Sequence, residues 1–338
     1  MLLNYSSYMH NTKRFVRAFY GKPLLNYLNI VFRYCLSRLT GRVFVAGFPF
    51  AFSAEASAKC NLECPECLVG SGKTKRDKLF MDNYIFEKIL EEASRKSFYI
   101  NLYFQGEPFL NRQLFEFISK AKEKKFYTVV STNGHFLENN NSEKLILSGL
   151  DKLVVSIDGI SEETYRHYRK NGQFNRVITG IRELTRQKEK MKAKHPFIIL
   201  QFLVHRKNEH ELKHLVSFAK QLDFDSVQTK TMQFASSEAI ESLSPTQKKY
   251  RRYKKCSNGK WHVKKKQSGA CFRLWSQVVI TSDGNVVPCC YDKKPDHIAG
   301  NIKEKSIGNI WINENLNGLR KNLLDKKTLP EICNNCYG

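Results

Sequence analysis

From Phe48 to Phe234 the chain alternates short runs rich in β-branched and aromatic residues with longer stretches whose apolar positions recur at spacings of three and four. The runs "FPFAFSAEA", "FYINLYFQ", "FYTVVST", "DKLVVSID", "FIILQFLV" and "SVQTKTMQF" predict strands, because Val, Ile, Phe, Tyr and Thr suit a pleated, buried surface. Between them "DNYIFEKILEEASRK", "NRQLFEFISKAKEKK", "SEKLILSGL", "QFNRVITGIRELTRQKEK" and "EHELKHLVSFAKQL" predict amphipathic helices. This alternation predicts a parallel sheet with crossover helices, an α/β fold. Polar residues at the carboxyl ends of such strands are where ligands bind.

The pattern changes at both ends. Within the first residues, "LLNYLNIVFRYCLSRL" is apolar on one helical face and basic elsewhere, and no acidic residue precedes Glu55. Such a helix suits a membrane surface or packing on the protein's own body, and the second is favoured because apolar faces usually serve a core. Beyond Ala235, residues 242–282 contain no acid and include "KKYRRYKKCSNGKWHVKKK", which reads as a mobile basic linker or lid. From Cys271 a Cys-bearing segment follows, with the hairpin signal "SDGN". Expected divisions are 1–47, 48–235, 236–270 and 271–338.

Composition narrows the classes. Over 338 residues, 41% hydrophobic and 26% charged content are globular values. Lys and Arg number 56 against 32 acids, a net +24, which raises nucleic acid, anionic lipid or an anionic substrate as partners beside a lysine-rich solvated surface. Ten cysteines without a secretory signal predict a reducing, cytoplasmic setting, where clustered thiols are metal ligands more often than disulfides. No run reaches the roughly 18 apolar residues of a membrane span.

In "CNLECPEC", Cys60, Cys64 and Cys67 stand at CxxxCxxC just after the first strand. Three thiolates in a tight loop can hold three irons of a 4Fe-4S cluster and leave the fourth open, whereas zinc wants four local ligands. Here the chain resembles the radical S-adenosylmethionine (SAM) enzymes, from about Phe48 to Gly338. The resemblance implies a partial (β/α)6 TIM-like barrel and a SAM-bound 4Fe-4S cluster. "QGEP" is similar to the family's Gly-Gly-Glu-Pro motif, so Gly106, Glu107 and Pro108 are expected at the amino group of SAM, with Gln105 departing from the pattern. "STNG" places Ser131, Thr132 and Asn133 toward the sulfonium and carboxylate, and "SIDG" gives Ser156 and Asp158 to the ribose or the substrate. Arg169 matches an arginine that meets the methionine carboxylate. Gln201, His205, Asn208 and Lys230 are further pocket candidates, with a solvated turn as the plainer place for His205. Glu66 stands where the family often has an aromatic residue, so no side-chain stacking on adenine is expected there.

Cys271, Cys289 and the closing pair Cys333 and Cys336 resemble the SPASM/Twitch extension and imply one auxiliary 4Fe-4S cluster, with structural zinc as the alternative. Cys290 is expected as a small buried residue beside it, and Cys35 and Cys256 as ordinary thiols. By resemblance the reaction is reductive cleavage of SAM to a 5'-deoxyadenosyl radical, hydrogen abstraction and a net oxidation. The expected substrate is a sugar, aminocyclitol or other anionic small molecule; the alternative is a ribosomally made peptide. An electron donor such as flavodoxin or ferredoxin is implied, and peripheral membrane contact through residues 1–47 is a separate expectation. A zinc protein that binds nucleic acid is the contrasting, disfavoured reading.

Overall fold

Strands that are apolar on both faces need cover on both, and this chain supplies it with crossover helices. The computed structural model describes residues 1–138, 140–234, 236–264, 271–325, 329–334 and 336. Its strands are β1 (Ala51–Ala54), β2 (Tyr99–Asn101), β3 (Tyr127–Thr132), β4 (Lys152–Ser156), β5 (Phe197–Val204), β6 (Ser226–Thr231), β7 (Tyr253–Lys255), β8 (Trp261–Val263), β9 (Gln277–Ile280), β10 (Asn285–Val287) and β11 (Gly300–Asn301). Helices α1 (Tyr5–Phe19) and α2 (Lys22–Thr40) come first. Between β1 and β6 lie α3 (Asn83–Ala93), α4 (Leu114–Glu123), α5 (Asn141–Leu147), α6 (Glu162–Tyr168), α7 (Phe174–Lys190) and α8 (Leu215–Gln221). Local chemistry sets their starts: the Asp82 carboxylate accepts the Ile85 N–H at 2.9 Å and caps α3.

The chain divides into two interleaved units. The first holds residues 1–14, 60–73 and 129–264; the second holds 15–59, 74–128 and 265–338. In the first unit, β3 from Val129 onward, β4, β5 and β6 lie side by side, all parallel, with Ser131 opposite Val154, Ser156 opposite Gln201 and Leu203 opposite Lys230. The N-terminus closes the β6 edge, the Met1 ammonium donating to Val227 O at 2.6 Å. Within the stretch expected as a mobile basic linker or lid, β7 and β8 form an antiparallel hairpin, as far as Lys264. Its short strands are hidden in the sequence because Lys254, Lys255 and His262 are exposed, while Tyr253 alone among the six strand residues is fully buried. Residues 265–270, also assigned to the linker, lie outside the described residues.

In the second unit the strand order is β11-β10-β9-β1-β2, with β9 parallel to β1 and β10 turning back antiparallel through Gly284 at φ 92°. The run "FYINLYFQ" stays in the sheet only from Tyr99 to Asn101. The early end has a backbone cause: Gly106 turns at φ 67° against the carbonyls of Ser57 and Lys59, and the Glu107 N–H donates to Lys59 O at 2.8 Å. Helix α2 packs within this unit, as favoured from its sequence. Ile30 is buried, the Asn26 amide donates to Phe48 O at 2.7 Å and Lys96 O at 2.8 Å, and Tyr34 stacks edge-on against Trp275.

Glu55 and Arg76 join β1 to the C-terminal hairpin of this unit. Both side chains are fully buried; Arg76 grips the carboxylate through Nε (2.8 Å) and Nη2 (3.1 Å), and the Ser282 N–H donates to Glu55 Oε2 at 3.1 Å. Burial pushes the Glu55 carboxyl above its ordinary pKa, and the Arg76 hydrogen bonds pull it partly back. Arg76→Met leaves that carboxyl buried without its cation and is expected to destabilise the fold by about 3–5 kcal/mol in urea unfolding. The Arg76→Met/Glu55→Leu double variant should recover much of the loss; a single variant within about 0.5 kcal/mol of the parent would disprove the role given to the pair.

Candidate functional site

The loop after β1 is wound tightly by its own backbone. Cys67 N–H donates to Cys64 O at 3.1 Å, Ser71 N–H to Cys67 O at 2.8 Å and Lys73 N–H to Leu68 O at 2.8 Å, while Glu63 N–H ties the loop to Lys170 O at 3.1 Å. Gly70 is required by space, since a Cβ there would stand 2.6 Å from Cys64 N. Cys60, Cys64 and Cys67 face an apolar cluster of Leu62, Tyr168, Met232, Phe234 and Tyr253. Burial pushes the Cys64 thiol up to about 11, Arg169 draws it down, and Asp158, Cys67 and Cys60 raise it further. The three cysteines are thus near enough to feel one another's charge. A bound iron would offset that penalty, because metal coordination holds a thiol deprotonated.

Strand ends bring polar groups to this loop. Asn133, buried after β3, donates through Nδ2 to Asn61 Oδ1 at 2.8 Å and lies 3.8 Å from Cys60 Sγ. Its orientation is set by a residue the sequence reading passed over. His135 Nε2 accepts the Gln173 N–H at 2.9 Å, so the proton sits on Nδ1, which lies 2.9 Å from Asn133 Oδ1. The amide nitrogen is thereby turned toward the sulfur. Burial, helped by Arg176 and Arg169, pushes the His135 imidazole down to about 4. Thr132 Oγ1 accepts the Gly134 N–H at 3.1 Å, Ser131 is half-buried on β3, and Ser156 accepts from Gln201 at 3.1 Å.

Asp158, expected at the ribose or the substrate, and Arg169, expected at the methionine carboxylate, are paired with each other. Arg169 Nε donates to Asp158 Oδ2 at 2.7 Å, and Asp158 Oδ1 accepts the Leu203 N–H at 2.9 Å. Burial opposes the charge on Arg169, but Asp158 and Cys64 outweigh it and raise the guanidinium's pKa. His205 is no solvated turn residue: it is fully buried, its Nδ1 accepts the Lys207 N–H at 3.3 Å, and burial pushes it down to about 4. Asn208 is also buried and donates to Asp158 O at 2.9 Å, whereas Lys230 is exposed.

In the second unit, Gly106 occupies a place no side chain fits, since a Cβ would stand 2.8 Å from Lys59 O and collide with Ser57 O. Glu107 follows, buried, its carboxylate accepting the Phe109 N–H at 3.2 Å at the head of the turn Pro108–Leu110. Lys59, which receives the Glu107 N–H, immediately precedes Cys60 in the chain. Also in this unit Cys271, Cys289, Cys333 and Cys336 line one apolar pocket, together with Leu274, Leu319, Pro330 and Ile332. Burial pushes the Cys289 thiol up to about 12, with Cys290, Cys271 and Cys333 adding to it. Among the described residues no three Cys, His, Asp or Glu side chains group as ligands of a single metal ion. The thiolates of an iron-sulfur cluster go to separate irons, and these four in an apolar pocket fit one. Cys290, expected buried, is exposed: with Cys289 turned inward its neighbour points out, and Arg273 Nη1 donates to its sulfur at 3.3 Å.

Residues 55–219 match the family model described as the radical SAM superfamily, and residues 271–337 match that of an iron-sulfur cluster-binding domain, SPASM. The chain is 25% identical to the tungsten-containing aldehyde ferredoxin oxidoreductase cofactor-modifying protein of Pyrococcus furiosus, over 83% of this chain and 85% of that one. Its fold is similar to that of Streptococcus suis SuiB bound to S-adenosylmethionine, with TM-score 0.62 and 15% identity over 87% of this chain and 73% of that one. It is likewise similar to BtrN in complex with AdoMet and 2-DOIA, with TM-score 0.51 and 21% identity over 87% and 95%. These structures share a TIM-like α/β fold with a C-terminal domain, which is the fold class expected from the sequence.

The two buried imidazoles make a pH signature. Both are neutral in the folded chain at about 4, against about 6.5 when unfolded, so acid favours the unfolded chain. Their contribution is complete above about pH 6.5 and is lost as pH falls toward 4. His135→Gln should therefore flatten the fall in urea-unfolding free energy between pH 6.5 and 4.5 by about 2 kcal/mol. An identical slope in parent and variant would mean that His135 is not held neutral.

Proposed function

Because the chain belongs to the radical SAM superfamily and ends in a SPASM iron-sulfur cluster-binding domain, we propose that it oxidises an anionic small molecule by hydrogen abstraction. Its cofactors are a 4Fe-4S cluster that binds SAM and an auxiliary iron-sulfur cluster. When bound, they supply the one-electron cleavage of SAM to methionine and a 5'-deoxyadenosyl radical, and an acceptor for the electron the substrate gives up.

The protein's part is to hold, orient and exclude water. Cys60, Cys64 and Cys67 would hold the SAM-binding cluster, and the Asn133 amide, fixed by His135, presents its N–H side to the Cys60 sulfur. Gly106 lets the backbone approach without a side chain, so that Glu107 and Pro108 can receive the methionine ammonium. Ser131, Thr132 and Asn133 serve the sulfonium and carboxylate, and Ser156 the ribose. Arg169 meets the carboxylate as a guanidinium already aligned by Asp158, whose oxygens are both engaged within the protein. Cys271, Cys289, Cys333 and Cys336 hold the auxiliary cluster.

The observation that carries the anionic substrate is the basic hairpin. Tyr253 and the half-buried Trp261 and Val263 pack into the same core as the three cysteines, while Lys248, Lys249, Lys254, Lys255 and Lys260 are exposed around it. Burial lowers the Lys264 amine, and Arg251 and Lys248 lower it further, the mark of concentrated positive charge. A small molecule is favoured as substrate by the Pyrococcus furiosus relative, which is named for modifying a cofactor. A flavodoxin or ferredoxin supplies the reducing electron.

Anaerobically reconstituted protein is expected to carry about eight irons per chain and to release 5'-deoxyadenosine from SAM under dithionite. Cys60→Ala should drop to about four irons and lose that release entirely, whereas Cys289→Ala should lose irons from the other cluster and still cleave SAM. A colourless, zinc-loaded protein without SAM cleavage would overturn the reading.

A further inference from the structure

Helix α2 is anchored on one side and bare on the other. Inward, Ile30 is 1% exposed and Ser37 fully buried; outward, Leu25 is 68% exposed, Leu28 54%, Phe32 62% and Leu39 85%. At 100° per residue those four positions fall on a single stripe, joined by the exposed Cys35. Tyr20, at the turn between α1 and α2, is 67% exposed. A stripe of this kind on a firmly seated helix is not explained by the core, and isolated exposed leucines need no such alignment.

The charge beside the stripe selects its occupant. Arg38 and Arg42 are exposed and Arg33 half-buried with its guanidinium 6.0 Å from the Phe32 ring centre; no acid occurs anywhere before Glu55. Two copies of the chain packed through this face would bring arginine against arginine with no carboxylate from the segment to separate them. An anionic bilayer answers both features at once, taking the apolar side chains among its acyl chains and the arginines at its phosphates. No helix among the described residues is long and apolar enough to cross a membrane, so the contact is with one surface. We propose that the outward face of α2, through Leu25, Leu28, Phe32 and Leu39 with Arg33, Arg38 and Arg42, docks this protein on anionic lipid membranes.

Flotation of the anaerobic holoprotein with vesicles of phosphatidylcholine, with and without phosphatidylglycerol, tests this. The parent should float with the anionic vesicles, less so as salt is raised, and stay behind with neutral ones. Leu28→Ser/Phe32→Ser should weaken the partition by at least about tenfold, and Arg38→Glu/Arg42→Glu by a comparable factor. These side chains are exposed, so SAM cleavage in solution should be unchanged in both variants, which separates this result from the fate of the catalytic reading. The proposal falls if the parent fails to float at low salt, or if both variants float as well as it does. It falls equally if sedimentation shows a dimer that Leu28→Ser/Phe32→Ser abolishes while vesicles remain unbound.

Discussion

Thiols must be ionised to hold iron, yet here they are placed where ionisation is hardest. Burial and mutual repulsion push Cys64 to about 11 and Cys289 to about 12, so these two thiols are not ionised by their own surroundings. Positive charge from bound iron is what makes these loops favourable, and the protein around them is arranged for a metal-loaded state. Apolar neighbours pack beside both sets, and Cys64, Cys289 and Cys336 are buried, which suits clusters whose reduction potential depends on solvent exposure and hydrogen bonding to sulfur.

The two cysteine sets differ in the polar groups they meet. At the first, a hydrogen-bonded series runs from the start of α7 through His135 to Asn133 beside Cys60, and a second joins Asp158, Arg169 and Asn208. Each group in these series is held by a neighbour already fixed by strand or helix, so little rearrangement is required when a ligand arrives. At the second set the pocket is mainly aliphatic, and Arg273, which lines it, turns toward the exposed Cys290.

Much of this was legible in the sequence for a physical reason: buried parallel strands leave continuous Val- and Ile-rich runs, and cluster ligands must be close in the chain when one loop supplies them. What escaped depended on distant backbone. The run from Leu102 to Phe104 is as strand-like as Tyr99 to Asn101, yet the chain leaves the sheet there and turns to seat Gly106 against Ser57 and Lys59. The part played by His135 needs the Gln173 N–H, 38 residues away. The basic hairpin escaped because its few buried side chains are outnumbered by lysines, and the outward turn of Cys290 follows from the burial of Cys289.

The interleaving of the two units has a consequence for how the protein is made. Ala51 pairs with Gln277 in the parallel partnership of β1 and β9, so a strand made early waits for one made more than two hundred residues later. Neither unit is continuous in sequence, and the segment 60–73 carrying the first cysteines is flanked on both sides by residues of the other unit. On a ribosome the second unit therefore stays incomplete until the C-terminal segment emerges, and pairings of such span close slowly. Neither unit could therefore be expressed by trimming the termini: a fragment that drops residues 265–338 also removes a neighbour of the strand leading into the first cysteine loop.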